Sequence, residues 1–222
     1  MPFLNLFLNN EKFLILEPFT TNTDLATQIW YYKSISLSEM IQIGLKILDE
    51  LKTLHDLGFV FLDLKPENIT CKGSLIDFGY PTLIEGITLK DIEKCTKEYA
   101  LKKERKIKSW EKSYDVKKLD IYSFGCILYF IIVKNDLWQS KTRHLHNSND
   151  FSQLLSPSSI FQKNIKQILQ DTRFKDRARQ LTEYVEKCLA TNHDKRFSTD
   201  EAIKQWKSLW TTKTRTVRCT SL

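Results

Sequence analysis

Asp63-Leu64-Lys65-Pro66-Glu67-Asn68, followed by Asp77-Phe78-Gly79, is the stretch on which the fold and chemistry of this chain turn. An extended segment alternates its side chains, so Asp63 and Lys65 project to the same side. A carboxylate beside an ammonium suits acceptance of a proton from a hydroxyl while the cation steadies a phosphate. Asn68 and Asp77 both offer oxygen atoms, the ligands Mg²⁺ prefers, and a hairpin between them brings them together. Gly79 lets the chain turn away sharply after Asp77. Singly these strings are ordinary: Asp-Phe-Gly alone is a turn, and Lys-Pro-Glu-Asn alone a solvated loop. The ordered pair carries the weight, because it follows a Leu-rich helix ending in Leu54-His55-Asp56-Leu57-Gly58.

That helix starts near Ser36 or Ser38. Ser36 with Glu39 has capping-box spacing, and Ile41, Leu45, Leu48 and Leu51 form an apolar stripe. Gly58 ends it as a left-handed cap. Upstream, the apolar runs 3–8 and 13–16 are split by Asn9-Asn10-Glu11-Lys12, which predicts two strands and a turn; Glu17-Pro18 closes the second. Downstream, Ile69-Thr70-Cys71 and Ser74-Leu75-Ile76 flank Lys72-Gly73 as a two-residue hairpin. Residues 83–118 read as a long surface loop with one short helix. Residues 119–133 are apolar nearly all round, which predicts a helix wrapped by others. Polar loop markers fill 134–158. Helices follow over 160–170 and 176–190, and a last one starts at Ser198 with Glu201 in capping-box spacing.

The chain has 222 residues, 41% hydrophobic and 27% charged, with only 6 Gly and 5 Pro, which excludes collagen-like and low-complexity material. The net charge of +7 suits an acidic or phosphorylated partner. Five scattered cysteines form no Cys-x-x-Cys pair, so neither a zinc cage nor a disulfide framework is expected, and a reducing compartment, cytoplasmic or nuclear, fits. No secretory leader is visible, and the run Ile121–Val133 is too short to cross a bilayer, so no transmembrane segment is expected. His144 and His146 have no clear third partner for a metal. The basic run Lys102, Lys103, Arg105, Lys106 and Lys108 reads as a solvated loop. No aromatic stacking platform accompanies it, so no nucleic acid partner is expected.

From residue 3 to about 210 the chain resembles a protein kinase, chiefly its C-terminal lobe. Leu14-Ile15-Leu16-Glu17-Pro18-Phe19 resembles the last strand of the N-terminal lobe and the hinge. Asp63 matches the catalytic-loop aspartate, Lys65 the nearby phosphate-contacting lysine, and Asn68 and Asp77 the metal-binding pair. Lys65-Pro66-Glu67-Asn68 is similar to the Ser/Thr class. Cys95-Thr96-Lys97-Glu98-Tyr99 resembles the Gly-Thr-x-x-Tyr stretch before the substrate-positioning loop. Asp120-Ile121-Tyr122-Ser123-Phe124-Gly125 resembles the start of the central buried helix, whose aspartate holds the catalytic loop by its backbone amides. Cys188-Leu189 and Asn192 to Ser198 resemble the closing signature, whose arginine, here Arg196, pairs with a glutamate.

The resemblance implies an α+β fold: a mostly helical C-lobe over 20–210, a remnant of N-lobe strands over 1–19, and a basic polar tail over 211–222. It implies Ser/Thr-type phosphoryl transfer from ATP with Mg²⁺ to a protein hydroxyl, with Asp63 as base, Lys65 at the γ-phosphate, and Asn68 and Asp77 at the metal. Glu17 and Phe19 would offer hinge backbone groups to adenine, with Thr70 beneath the ring.

Several residues depart from the family pattern. The Gly-rich loop, the strand lysine and its glutamate partner are not among these residues, so a catalytically inactive pseudokinase acting as an interaction or scaffold module is the alternative. Met1 fits a true start, a misplaced start or a fragment boundary. Phe61-Leu62 replaces His-Arg; Phe61 can fill an apolar slot, while Leu62 cannot pair with a phosphate. The hairpin before Asp77 is shorter than usual. No Ala-Pro-Glu is present, which leaves Glu104 and Glu111 both open as the partner of Arg196. Asn192-His193 stands at Asp-Pro, and Phe197 replaces the second Pro. At the end, Cys219 with final Leu222 has the position of a prenylation box without its aliphatic pair, and Thr220-Ser221-Leu222 suits a PDZ-type groove. A frayed polar tail is the simpler reading.

Overall fold

The computed structural model describes residues 5–9, 12–16, 23–32, 35–78, 82–93, 96, 99–100, 114–134, 154–170 and 172–211. β1 (Asn5–Asn9) and β2 (Lys12–Leu16) pair antiparallel, Asn5 opposite Leu16 and Asn9 opposite Lys12, as the split apolar runs predict. A short helix α1 (Leu25–Thr27) follows, capped by Asp24 and continued by a wider π-type turn over Gln28–Tyr32.

α2 (Leu37–Asp56) begins at Ser36, not Ser38. The Ser36 hydroxyl accepts the Glu39 N–H, and the Glu39 carboxylate accepts the Ser36 N–H at 2.7 Å. Both bonds satisfy backbone donors that the first turn leaves open. Gly58, at φ +84°, ends the helix in the left-handed region. The fully buried face of α2 runs through Met40, Ile43, Ile47, Leu48 and Leu51; Ile41 and Leu45 lie on its border, so the stripe is rotated from the expected one.

α4 (Lys117–Val133) is buried on every side from Leu119 to Ile132. It has no polar face because α2, α5 (Ile160–Leu169), α6 (Ala178–Cys188) and α7 (Thr199–Trp210) all pack on it. α7 carries the expected capping box, Ser198 with Glu201. Its Trp206 donates Nε1–H to the Ile41 carbonyl at 3.1 Å and meets Phe124 edge-on at 6.2 Å, which ties α7 to α2 and α4 together. Gly125 lets α4 and α6 approach closely, since a Cβ there would lie 2.8 Å from the Cys188 Cβ.

Between α2 and α4 the chain is mostly loop, and here the site forms. β3 (Phe59–Val60) pairs with β4 (Thr82–Leu83), and α3 (Leu89–Glu93) is the short helix expected in the long loop. The hairpin after Asn68 differs from expectation. Thr70 N–H bonds the Ser74 carbonyl and Gly73 N–H bonds the Thr70 carbonyl, both at 2.8 Å, so the loop has three residues, Cys71, Lys72 and Gly73. The cause is Gly73, at φ +88°, which adds the left-handed residue that a three-residue hairpin uses. A Cβ there would also strike the Ile43 carbonyl at 2.8 Å.

The apolar residues form two clusters. The large one surrounds α4. The smaller joins Val60, Leu62, Ile92, Val116 and Leu119, with Ile84, Ile87, Ala100 and Tyr114 packed against it. Among the described residues no helix is long and apolar enough to cross a membrane.

Gly125→Ala tests the tightness of the α4–α6 contact. Alanine gains about 1 kcal/mol in helix propensity, but overpacking costs about 1–3 kcal/mol. Urea denaturation should show net destabilisation, whereas a stabilised variant would mean that the two helices can part cheaply.

Candidate functional site

The loop that bears Asp63 hangs from one buried carboxylate. Asp120, in the first turn of α4, is fully buried. Its Oδ2 accepts the Phe61 N–H at 2.9 Å and Nε2–H of His55 at 2.8 Å; its Oδ1 accepts the Leu62 N–H at 2.8 Å. A carboxylate out of water is tolerated only with such partners. The other ring nitrogen of His55, Nδ1, is hydrogen-bonded to the Thr199 hydroxyl at 2.7 Å. α2, α4 and α7 thus all hold one loop.

The anchor maintains strain. Leu62 has φ +63°, and Asp63 N–H reaches back to the Phe61 carbonyl at 2.8 Å, the features of a γ-turn. Such a backbone costs about 1–3 kcal/mol and persists only where its surroundings dictate it. The Leu62 side chain goes into the smaller apolar cluster, and Asp63 is thereby turned the other way.

Asp63, Lys65 and Asn68 converge as the spacing predicts. Lys65 Nζ donates to Asp63 Oδ2 at 2.8 Å, and Asn68 Nδ2 donates to the same oxygen at 3.0 Å and to the Asp63 carbonyl at 3.0 Å. A fourth member was missed from sequence. Thr96 donates its hydroxyl to Asp63 Oδ1 at 2.5 Å and its N–H at 3.3 Å, and lies 3.4 Å from Lys65 Nζ. The Thr-x-x-Tyr match was the available signal. Partial burial would raise the Asp63 pKa, but the hydrogen bonds from Lys65 and Thr96 outweigh it and hold the carboxyl below its ordinary range.

Asp77 stands beside Asn68 through the hairpin. Ile69 bridges Leu75, and Ile76 N–H bonds the Asn68 carbonyl at 2.9 Å, so Asp77 follows directly after that bond. It has φ +59° and an exposed side chain. Phe78 is pinned edge-on to Phe61 at 5.5 Å, the apolar slot expected for Phe61. Asn68 spends both amide hydrogens on Asp63, which leaves its side-chain oxygen as an acceptor. One amide oxygen and one carboxylate make a hard donor pair that fits Mg²⁺, which takes few protein ligands and completes its shell with phosphate and water oxygens. Among the described residues, no three His, Cys, Asp or Glu converge as a cage of their own.

Thr70 is buried, and its hydroxyl accepts the Ser74 N–H at 3.0 Å, so it closes the hairpin. Arg196 is buried too: Nε and Nη2 donate to the Ala190 carbonyl, Nη1 donates to the Lys118 carbonyl at 2.8 Å, and its guanidinium lies over the Tyr122 ring. Glu17, Phe19, Gly79, Glu104, Glu111, His144, His146, Cys219 and the basic run 102–108 lie outside the described residues.

Residues 2–206 match the protein kinase domain model. The chain is 28% identical over 155 residues to the serine/threonine-protein kinase PKH2 of Candida albicans, covering 63% of this chain and 16% of that protein. It is 23% identical over 178 residues to the serine/threonine-protein kinase PKH1 of Saccharomyces cerevisiae, covering 74% and 23%. It is 28% identical over 191 residues to the probable serine/threonine-protein kinase samkB of Dictyostelium discoideum, covering 78% and 30%. The chain therefore spans less than a third of the length of these relatives.

Asp120→Asn should cost about 3–5 kcal/mol in a denaturant titration, because an amide cannot accept on all sides and a buried pair is broken. A cost near zero would show that the loop holds itself. Asp63 sets a pH signature. Its folded pKa is depressed, so the stability it contributes is complete above the unfolded value of about 3.9 and is lost as pH falls through the lower folded value. The difference in unfolding free energy between wild type and Asp63→Asn should stay flat at neutral pH and shrink only below about pH 4. Shrinkage starting near pH 6 would contradict this.

Proposed function

The chain belongs to the protein kinase family, and from that membership we propose that it supports Ser/Thr-type phosphoryl transfer from MgATP to a protein hydroxyl. The observation that carries this reading is the Asp63 carboxylate, gripped on one oxygen by Lys65 and Asn68 and on the other by Thr96. Kinases rely on positioning and electrostatics more than on covalent chemistry, and this is a positioned, ionised acceptor beside a cation.

MgATP, when bound, supplies the phosphoryl group and the neutralisation of its phosphate charge. Asn68 and Asp77 are the oxygen donors toward the metal, and Lys65 is the cation toward the phosphate. Asp63 orients a substrate hydroxyl and takes its proton. A carboxylate has about four acceptor positions, and Asp63 already receives four donors, two on each oxygen. A hydroxyl can donate there only after one donor leaves. Lys65 is the donor able to leave, since its long side chain can exchange the carboxylate for a phosphate. Glu17 and Phe19 would meet the adenine edge. Thr70, whose hydroxyl oxygen accepts from the Ser74 N–H, would lie beneath adenine.

The saturation of Asp63 also favours a second reading, an inactive pseudokinase serving as an interaction module, in which Lys65 never leaves. The two readings separate in an assay of Mg²⁺-dependent ATP binding and of transfer to a Ser/Thr peptide mixture. On the catalytic reading Asp77→Asn weakens Mg²⁺-dependent ATP binding about tenfold or more. Asp63→Asn keeps binding but loses about 10²–10⁴ in transfer rate. Wild-type protein that binds MgATP and transfers nothing would remove the catalytic reading and leave the second. Unchanged binding in Asp77→Asn would remove Asp77 from its role.

A further inference from the structure

Thr96 itself lies outside any helix or strand, so its contact with Asp63 depends on what holds the residues on either side of it. Two anchors bracket it. Downstream, Tyr99 N–H bonds the Thr96 carbonyl at 3.0 Å, the Tyr99 ring is buried in the large cluster, and the Ser123 hydroxyl donates to the Tyr99 carbonyl at 2.8 Å. Upstream, Ile92 on α3 is 1% exposed and belongs to the smaller cluster with Leu62, Val60, Val116 and Leu119. Only three residues separate Ile92 from Thr96, so an anchored Ile92 keeps Thr96 within about 14 Å of chain.

The same cluster grips the other side of the contact. Leu62 precedes Asp63, and its left-handed backbone aims the side chain into this cluster and Asp63 away from it. The smaller cluster therefore fixes both partners of the Thr96–Asp63 bond, one through Leu62 and one through Ile92. It does so by apolar packing, at a position where a charged residue would need a counter-ion.

We propose that Ile92 is a positioning residue: its packing around Leu62 docks α3 against the Asp63 loop and thereby holds Thr96 on the Asp63 carboxylate. The cluster touches the helical body only through Val116 and Leu119 at the start of α4, so its opening is a local event that leaves the rest of that body folded. The consequence for turnover rests on the phosphoryl-transfer reading; the consequence for Thr96 does not.

The test compares wild type, Ile92→Ala and Ile92→Leu in the full chain. Hydrogen exchange is followed by mass spectrometry in peptides covering 88–100, α4 and α7, and transfer kinetics are measured in parallel. In Ile92→Ala, exchange over 88–100 should quicken at least about tenfold while α7 and the part of α4 beyond its first turn stay unchanged. Ile92→Leu, which keeps the apolar volume, should restore protection. If wild type transfers phosphate, Ile92→Ala should lose about tenfold or more in kcat with KM for ATP unchanged, since Asn68 and Asp77 lie outside the cluster. Unchanged exchange over 88–100 in a folded Ile92→Ala overturns the proposal. So does exchange that rises equally in α4 and α7, because Ile92 would then be an ordinary part of one core. Faster exchange over 88–100 in a wild-type background that transfers nothing supports the positioning role and removes only the catalytic reading.

Discussion

The Asp120 carboxylate is the constraint on which the site depends. It lies inside the protein, where an unpaired charge would be prohibitive, and it is made tolerable by two loop amides and one histidine. Each of those donors comes from a different need. The amides of Phe61 and Leu62 have no strand or helix to satisfy them at this bend. His55 lies in the last turn of α2, where it is buried and must place both ring nitrogens. One anion meets all these demands, and the left-handed Leu62 is the result. Release of the carboxylate would free the strained turn to relax, and the direction of Asp63 would be lost with it.

The site lies at the seam between two unequal bodies. On one side α4 and the helices around it form a closely packed block, with Phe124 edge-on to both Trp206 and Tyr184. On the other, a five-residue apolar cluster joins Ile92 of α3 to Val60 of β3, Leu62 and the start of α4. The large block dictates where Phe61, Asn68 and the hairpin stand. The small one dictates where Leu62 and the segment leading to Thr96 stand. Asp63 is bonded from both, which suits a group that must be rigid in one direction and adjustable in the other.

Local signals were legible from sequence, and distant ones were not. The capping boxes at Ser36 and Ser198 need only three residues each, and both formed. The all-round apolar character of α4 foretold its burial, because no face was left for water. The Asp63, Lys65 and Asn68 group was legible because three residues of chain and one short 3-10 turn over Pro66–Asn68 bring it together. The hairpin after Asn68 was misjudged by one residue, since Gly73 extends the loop by taking a positive φ. Thr96 was missed as a partner of Asp63 because the contact spans 33 residues and depends on where α3 docks. His55 was visible only as part of a helix end; nothing near it in sequence announces a buried carboxylate 65 residues away. Arg196 drew attention to a glutamate partner, yet its described partners include two backbone carbonyls, which sequence cannot indicate.

The occupancy of Asp63 bears on how such a site can act at all. Four donors on one carboxylate stabilise its charge, and a well-stabilised carboxylate is a poor base. Asn68 and Thr96 reach Asp63 on short side chains, so with α3 docked their bonds have little freedom to exchange. The Lys65 ammonium stands on a flexible stem, half-buried, and its bond to Asp63 competes with any phosphate nearby. A phosphate that captures Lys65 removes the donor that most strongly depresses the Asp63 pKa and opens an acceptor position in the same movement. On the catalytic reading, basicity would then rise only with the phosphate in place, so that arrival of the anion and readiness of the carboxylate would be one event.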